Sequence, residues 1–274
     1  MRLIDGKAHA ARLGEQVTAR AAELRSQGVD PTLAVVVPTD DEATAWYVRS
    51  IARTAEKVGV TCRIVTLDRP TGYDVAGALA ELGADPGVHG LICQTPLPGG
   101  VTLDQVGEHI PVAKDVDGAN PASLGRLAAG LPAYAPATAR AVLELLLAEN
   151  VPLEGVAATV VGRSTVVGKP AALLLLAQNA TVTVAHSRTR DLAAVCRQAD
   201  VLVAAVGRAH LIGADHIKPG AVVIDVGTNP TPDGGLTGDV DPAVTTAGAL
   251  TPVPGGVGPV TTMLLLAQTL DAAT

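Results

Sequence analysis

The chain has 274 residues, 48% hydrophobic and 17% charged, enough for one large or two moderate domains with real cores. A mean hydropathy of +0.34 excludes a disordered chain. A net charge of −7, with pI near 5.3 and no long run of one sign, excludes a phosphate-tracking nucleic-acid surface, although a few local cations or backbone amides can still hold an anionic small molecule.

With no Phe, one Trp and three Tyr, the core must be built from Ala, Val and Leu. Cys62, Cys93 and Cys196 are odd in number and widely spaced, which suits reduced, buried thiols better than a disulfide frame or a metal site. The opening MRLIDGKAHAARLGEQV has no signal-peptide core, and the apolar run at 171–177 is too short to span a bilayer. The expectation is a soluble, cytoplasmic protein with no membrane partner and no metal.

In chain order, residues 6–27 read as an alanine-rich amphipathic helix and 31–39 as a buried β-branched strand. A helix over 41–58, a strand over 60–67, a helix over 72–85 and a strand over 88–98 follow. Residues 101–130 are less regular and read as a bridge between two lobes. After a helix at 136–150, VAATVVGRS, ATVTVAH, DVLVAAVG and AVVIDVG read as strands, with GKPAALLLLAQN and TRDLAAVCRQA as intervening helices. Strands alternating with helices imply parallel sheet with crossover helices. The fold class is α/β in two lobes. Residues 1–119 with 251–274 form one, and a doubly wound, Rossmann-type nucleotide lobe covers 120–250.

VVGRSTVVGKP (160–170) joins a strand to a helix and carries Gly162 and Gly168, which allow a tight turn and amides at a helix N-terminus, where anions bind. The G-x-G-x-x-G fingerprint is absent, and an ordinary turn with Pro170 in the first helical turn fits the spacing equally well. HSRT (186–189) closes the next strand without the acidic residue that receives a ribose 2′-hydroxyl. Ser187, Arg188 and Arg163 suit a 2′-phosphate instead, favouring NADP while leaving NAD open. Plain surface charge is the simpler account of Arg188.

GLICQTPLP (90–98), KDVDG (114–118), GRSTVVGKP (162–170), HSRT (186–189), IKPGAVVIDVGTN (217–229) and PVPGGVGPVT (252–261) occur in this order. The series resembles the methylenetetrahydrofolate dehydrogenase/cyclohydrolase family from about Arg2 to Leu270. The resemblance implies an N-terminal α/β lobe completed by the C-terminal helix, an NAD(P) lobe, a folate substrate and a homodimer. It implies oxidation of 5,10-methylenetetrahydrofolate, often followed by hydrolysis to 10-formyltetrahydrofolate. It also implies roles for residues.

Asp117 would bind the pterin N–H groups, Gln94 would lie near the one-carbon unit, and Tyr47 would cover the folate ring. Pro96, Leu97, Pro254, Gly255 and Gly256 would line the substrate site, and Ser164, Val167 and Thr228 would join Gly162, Arg163, Gly168, Ser187 and Arg188 around the cofactor. Taken alone, Asp117 also fits a turn cap before Gly118, Gln94 a loop amide and Tyr47 a half-buried amphipathic residue.

One position departs from the family. Enzymes with both activities carry lysine four residues after the tyrosine, and here that position is Ile51. Ile51 and Thr54 lie within about 40° of Tyr47 on a helical wheel, whereas Arg49 and Arg53 point away by more than about 100°. Hydride transfer needs mainly positioning, but hydrolysis moves protons, and general acid–base help contributes about 10²–10⁴-fold. The expectation is an intact dehydrogenase with cyclohydrolase weak or lost. A fully bifunctional enzyme and a non-catalytic folate-binding paralogue are the alternatives. Thr95, the 36–44 turn and PAT (136–138) also differ from the usual pattern.

Overall fold

A computed structural model describes residues 1–274. The chain forms two compact units, one of residues 12–137 with 262–274, the other of 1–11 with 138–261. It opens with β1 (Arg2–Leu3) and the long helix α1 (Gly6–Ser26), which runs from one unit into the other.

In the first unit, β2 (Thr32–Val37), α2 (Glu42–Val58), β3 (Thr61–Thr66), α3 (Gly72–Ala84) and β4 (Gly90–Cys93) follow one another. The three strands are parallel in the order β3-β2-β4. All six residues of β2 are buried, as a central parallel strand covered on both faces requires. Ala34 and Val36 pack one face of the sheet against Val75, Leu79 and Leu82 of α3. Asp41 starts α2 by accepting the Thr44 N–H at 2.8 Å, and Gly59, at φ 79°, ends it in the left-handed conformation glycine tolerates. Thr71 and Asp74 form a capping box at the start of α3.

The stretch 101–130 contains α4 (Leu103–Gly107), a 3-10 turn (Val112–Lys114) and α5 (Pro121–Ala128), more order than its sequence suggests.

The second unit holds α6 (Ala137–Ala148), β5 (Ala157–Val161), α7 (Gly168–Ala177), β6 (Thr181–Ala185), α8 (Leu192–Cys196), β7 (Val201–Ala204) and β8 (Val222–Asp225). A two-residue ladder of β9 (Asn229–Pro230) with β10 (Leu236–Thr237), then β11 (Ala249–Leu250), precede α9 (Val257–Ala272), whose later turns belong to the first unit. The large sheet is parallel throughout, in the order β1-β11-β8-β7-β5-β6.

Counted from β5, the strands run second, first, third, fourth, fifth, which is the flavodoxin-like doubly wound order. Connections turn opposite ways from β5, so the topological switch point lies between β5 and β7. The small sheet repeats the device, with its switch point between β2 and β4.

The helix expected over 189–199 shrinks to Leu192–Cys196, starting from Asp191 at φ 44°. The two-residue strands β1, β9, β10 and β11 are too short to leave an alternation signal. The three cysteines are unpaired, and burial pushes the Cys93 thiol up to about 12 and that of Cys196 to about 11. No helix is long and apolar enough to cross a membrane.

Candidate active site

In the first unit, Gln94, Pro96 and Leu97 follow the carboxyl end of β4, beside the switch point between β2 and β4. Gln94 is the first residue after β4, and its N–H donates to the Val36 carbonyl at 2.9 Å, extending the ladder by one rung. Its half-buried side chain thus leaves the sheet at the rim. The Thr44 hydroxyl donates to the Thr95 carbonyl at 2.8 Å, tying the first turn of α2 to the loop that follows Gln94. Pro96 and Leu97 in that loop line a cavity of 360 Å³ with Pro38–Asp40 and Thr66–Pro70. Tyr47, Gln94 and Asp117 lie outside that cavity.

The buried stripe of α2 is Thr44, Val48, Ile51, Ala55 and Val58, at helical spacing. Ile51 has no exposed surface, while Arg49, Arg53 and Lys57 are exposed. Tyr47 is half-buried beside this stripe. Burial drives its phenol well above the usual range, the Asp117 carboxylate adds to the shift, and a hydrogen bond with the Thr262 side chain opposes it. Tyr47 and Asp117 therefore lie close enough for the carboxylate to act on the phenol, while Arg49, Arg53 and Lys57 are exposed.

Asp117 is held by a turn built for it. Asp115, fully buried, accepts the N–H groups of Ala119 at 2.8 Å and Asn120 at 3.0 Å and the Ser123 hydroxyl at 2.5 Å. Gly118 sits at φ 62°, and a Cβ there would stand 2.6 Å from the Pro136 ring. Asp117 itself accepts only the Ala137 N–H, at 3.2 Å. Burial pushes its carboxyl up to about 7, the Ala137 hydrogen bond holds it down, and the Asp115 charge raises it further. It is a carboxylate short of partners, which suits a ligand that brings N–H donors.

In the second unit, Gly162 and Gly168 need to be glycine. A Cβ on Gly162, at φ 136°, would lie 2.1 Å from the Ala205 carbonyl across the switch point, and one on Gly168 would lie 2.3 Å from the Gly162 carbonyl. The Ser164 hydroxyl accepts the N–H groups of Val167 at 3.1 Å and Gly168 at 3.3 Å, capping α7. Arg163 and Ser164 are exposed. At the end of β6, the His186 N–H donates to the Thr189 hydroxyl at 2.8 Å and the His186 ring accepts the Arg188 N–H at 3.1 Å. That local turn leaves Ser187 and Arg188 exposed.

Thr228 is exposed beyond β8. Pro254, Gly255 and Gly256 form the turn before α9, and Gly256 faces Gly6 so closely that a Cβ on Gly6 would lie 1.8 Å from its carbonyl. These residues fit a dinucleotide: a glycine-lined cradle at the switch point, with a serine and arginines at the neighbouring strand end.

Sequence reasoning passed over Asp115, Thr262, Asp225 and Asp239. Asp115 lay inside the quoted motif KDVDG, so its spacing from Asn120 and Ser123 was the available signal. Thr262 meets Tyr47 only through the tertiary fold.

Residues 4–117 match the family described as tetrahydrofolate dehydrogenase/cyclohydrolase, catalytic domain, and residues 136–274 its NAD(P)-binding domain. The bifunctional protein FolD of Parafrankia sp. (strain EAN1pec) is 62% identical over 275 residues, covering 100% of this chain and 99% of that protein.

Two solved structures are similar throughout. The bifunctional FolD methylenetetrahydrofolate dehydrogenase/cyclohydrolase of Campylobacter jejuni superposes with a TM-score of 0.96 at 38% identity, covering 100% of this chain and 98% of its own. The Trypanosoma brucei enzyme, complexed with NADP cofactor and inhibitor, gives 0.92 at 35% identity, covering 99% and 96%. The chain belongs to the tetrahydrofolate dehydrogenase/cyclohydrolase family.

Proposed function

We propose that this protein oxidises 5,10-methylenetetrahydrofolate to 5,10-methenyltetrahydrofolate with NADP, and that it hydrolyses the methenyl product slowly or not at all. Asp117, short of hydrogen bonds and pushed up to about 7, would take the pterin N–H groups as a carboxylate. Tyr47 would cover the ring, Gln94 would meet the one-carbon unit from the strand end, and Pro96, Leu97, Pro254, Gly255 and Gly256 would contact the substrate. The turn Gly162–Gly168, with Ser164 and Val167, would hold the pyrophosphate, Arg163, Ser187 and Arg188 the 2′-phosphate, and Thr228 the other end. When bound, the nicotinamide supplies the hydride acceptor; the chain supplies position.

We assign folate binding to residues 1–119 with 251–274 and cofactor binding to 120–250. A cytoplasmic homodimer is part of the same reading, and sedimentation equilibrium of the purified chain tests the dimer.

The observation that carries the slow hydrolysis is Ile51, with no exposed surface and no proton to give, one turn after Tyr47. The name of the Parafrankia relative, a bifunctional protein, favours an enzyme that performs both steps. The two readings part on one preparation assayed twice, for NADPH formation from methylenetetrahydrofolate and for loss of methenyltetrahydrofolate. Hydrolysis keeping pace with oxidation establishes the bifunctional enzyme. No NADPH at all leaves a folate-binding paralogue.

A further inference from the structure

Asp225 and Asp239 are buried carboxylates, 3% and 0% exposed, that no role above employs. Asp239 accepts three consecutive backbone N–H groups, from Val206 at 2.6 Å, Gly207 at 3.0 Å and Arg208 at 2.9 Å, and the Asn229 side-chain N–H at 2.9 Å. Asp225 accepts the N–H groups of Gly227 at 2.9 Å, Asp239 at 3.0 Å and Val240 at 2.9 Å, while its own N–H donates to the Thr251 hydroxyl at 2.7 Å. Gly227 and Gly238 make room: a Cβ on the first would lie 2.3 Å from the Asp239 nitrogen, and on the second 1.9 Å from an Asp225 oxygen.

Two buried carboxylates side by side are a costly way to stabilise a sheet, and apolar side chains would serve packing better. Their partners tell where the benefit lies. Val206–Arg208 follow the end of β7, Gly227 and Asn229 follow the end of β8, and none of them belongs to the sheet's ladder. These loops stand at the same carboxyl rim as Gly162, whose neighbour Ala205 begins the β7 loop. Thr228, exposed, lies between a residue held by Asp225 and one held by Asp239.

We propose that Asp239, seated against Asp225, is a positioning residue for the cofactor: it presets the β7 and β8 loops that receive the end of NADP remote from the adenosine. It rests on the cofactor assignment made above. The adenosine end, by contrast, belongs to the β6 turn with Ser187 and Arg188, which the two aspartates do not touch.

The test compares NADP with adenosine 2′,5′-bisphosphate, which carries only the adenosine end, by calorimetric titration of the full chain. Asp239→Asn turns an N–H donor toward amide donors; it should weaken NADP about tenfold or more while leaving the bisphosphate within about twofold. Asn229→Ala removes one contact of the clamp and should show the same selectivity at about threefold, so the test stands even if the first variant fails to fold. Equal losses for both ligands, or no loss for NADP, overturn the proposal. A wild-type chain that binds neither ligand overturns instead the cofactor assignment itself.

Discussion

Replacing Asp117 by asparagine should make the protein more stable and less active, with the gain set by pH. The folded carboxyl is raised from 3.8 to about 7, so between those values the folded chain binds a proton that the unfolded chain releases. Stability from this group is therefore fully present at low pH, declines as pH climbs toward 7, and stays low above it.

Three pKa units correspond to up to about 4 kcal/mol. Asp117→Asn keeps an oxygen for the Ala137 N–H and removes the charge, so the variant should gain up to about 4 kcal/mol at pH 8 and almost nothing at pH 3.5. In a chain of this size each kcal/mol moves the melting temperature by about 2–4 °C. Thermal unfolding of both proteins across that pH range is the assay, alongside NADPH production, which should fall by about 10²-fold or more from losing a charge-assisted contact with the pterin. A variant less stable than wild type at pH 8, or a gain that ignores pH, would refute the account of Asp117 as a half-buried, under-partnered carboxylate.

The same titration predicts that KM for the folate substrate rises about tenfold per pH unit below the Asp117 value, because the pterin needs the carboxylate; a flat KM between pH 5.5 and 7.5 contradicts it. Gly162→Ala should abolish NADP binding in calorimetry and destabilise the chain by more than about 2 kcal/mol, since its Cβ would collide with the Ala205 carbonyl 2.1 Å away, whereas Gly77→Ala in α3, with open space around it, should stabilise slightly. Ile51→Lys places an ammonium in a site with no exposed surface, so it should cost about 2–4 kcal/mol in urea unfolding and raise methenyltetrahydrofolate hydrolysis; unchanged hydrolysis in a folded variant removes Ile51 from the explanation.

Much of the fold was legible because parallel strands announce themselves as β-branched runs. TLAVVV and AATVV read as strands on composition alone, and both lie between two parallel neighbours. Residues 189–199 misled because a run of Ala and Leu favours helix, while Asp191 in the left-handed region sets a short one. The candidate site was legible where a motif stayed local, as in the Gly162–Gly168 turn. It was illegible where function depends on a contact remote in sequence. Thr262 bears on Tyr47 from a helix more than two hundred residues later, and Asp239 reaches amides 31 to 33 positions earlier.

By itself, the sequence determined the alternation of strand and helix, the acidic and nearly aromatic-free character, the motif order and the absence of lysine at Ile51. Periodicity and residue identity are properties of neighbours along the chain. Only the tertiary structure decided that β1 and β11 extend the large sheet, that Ile51 is wholly buried, and that Asp117 has a single hydrogen-bond partner while Asp225 and Asp239 have several. A carboxylate's charge state and a side chain's exposure depend on what three-dimensional packing brings within a few ångströms, and no local pattern encodes that.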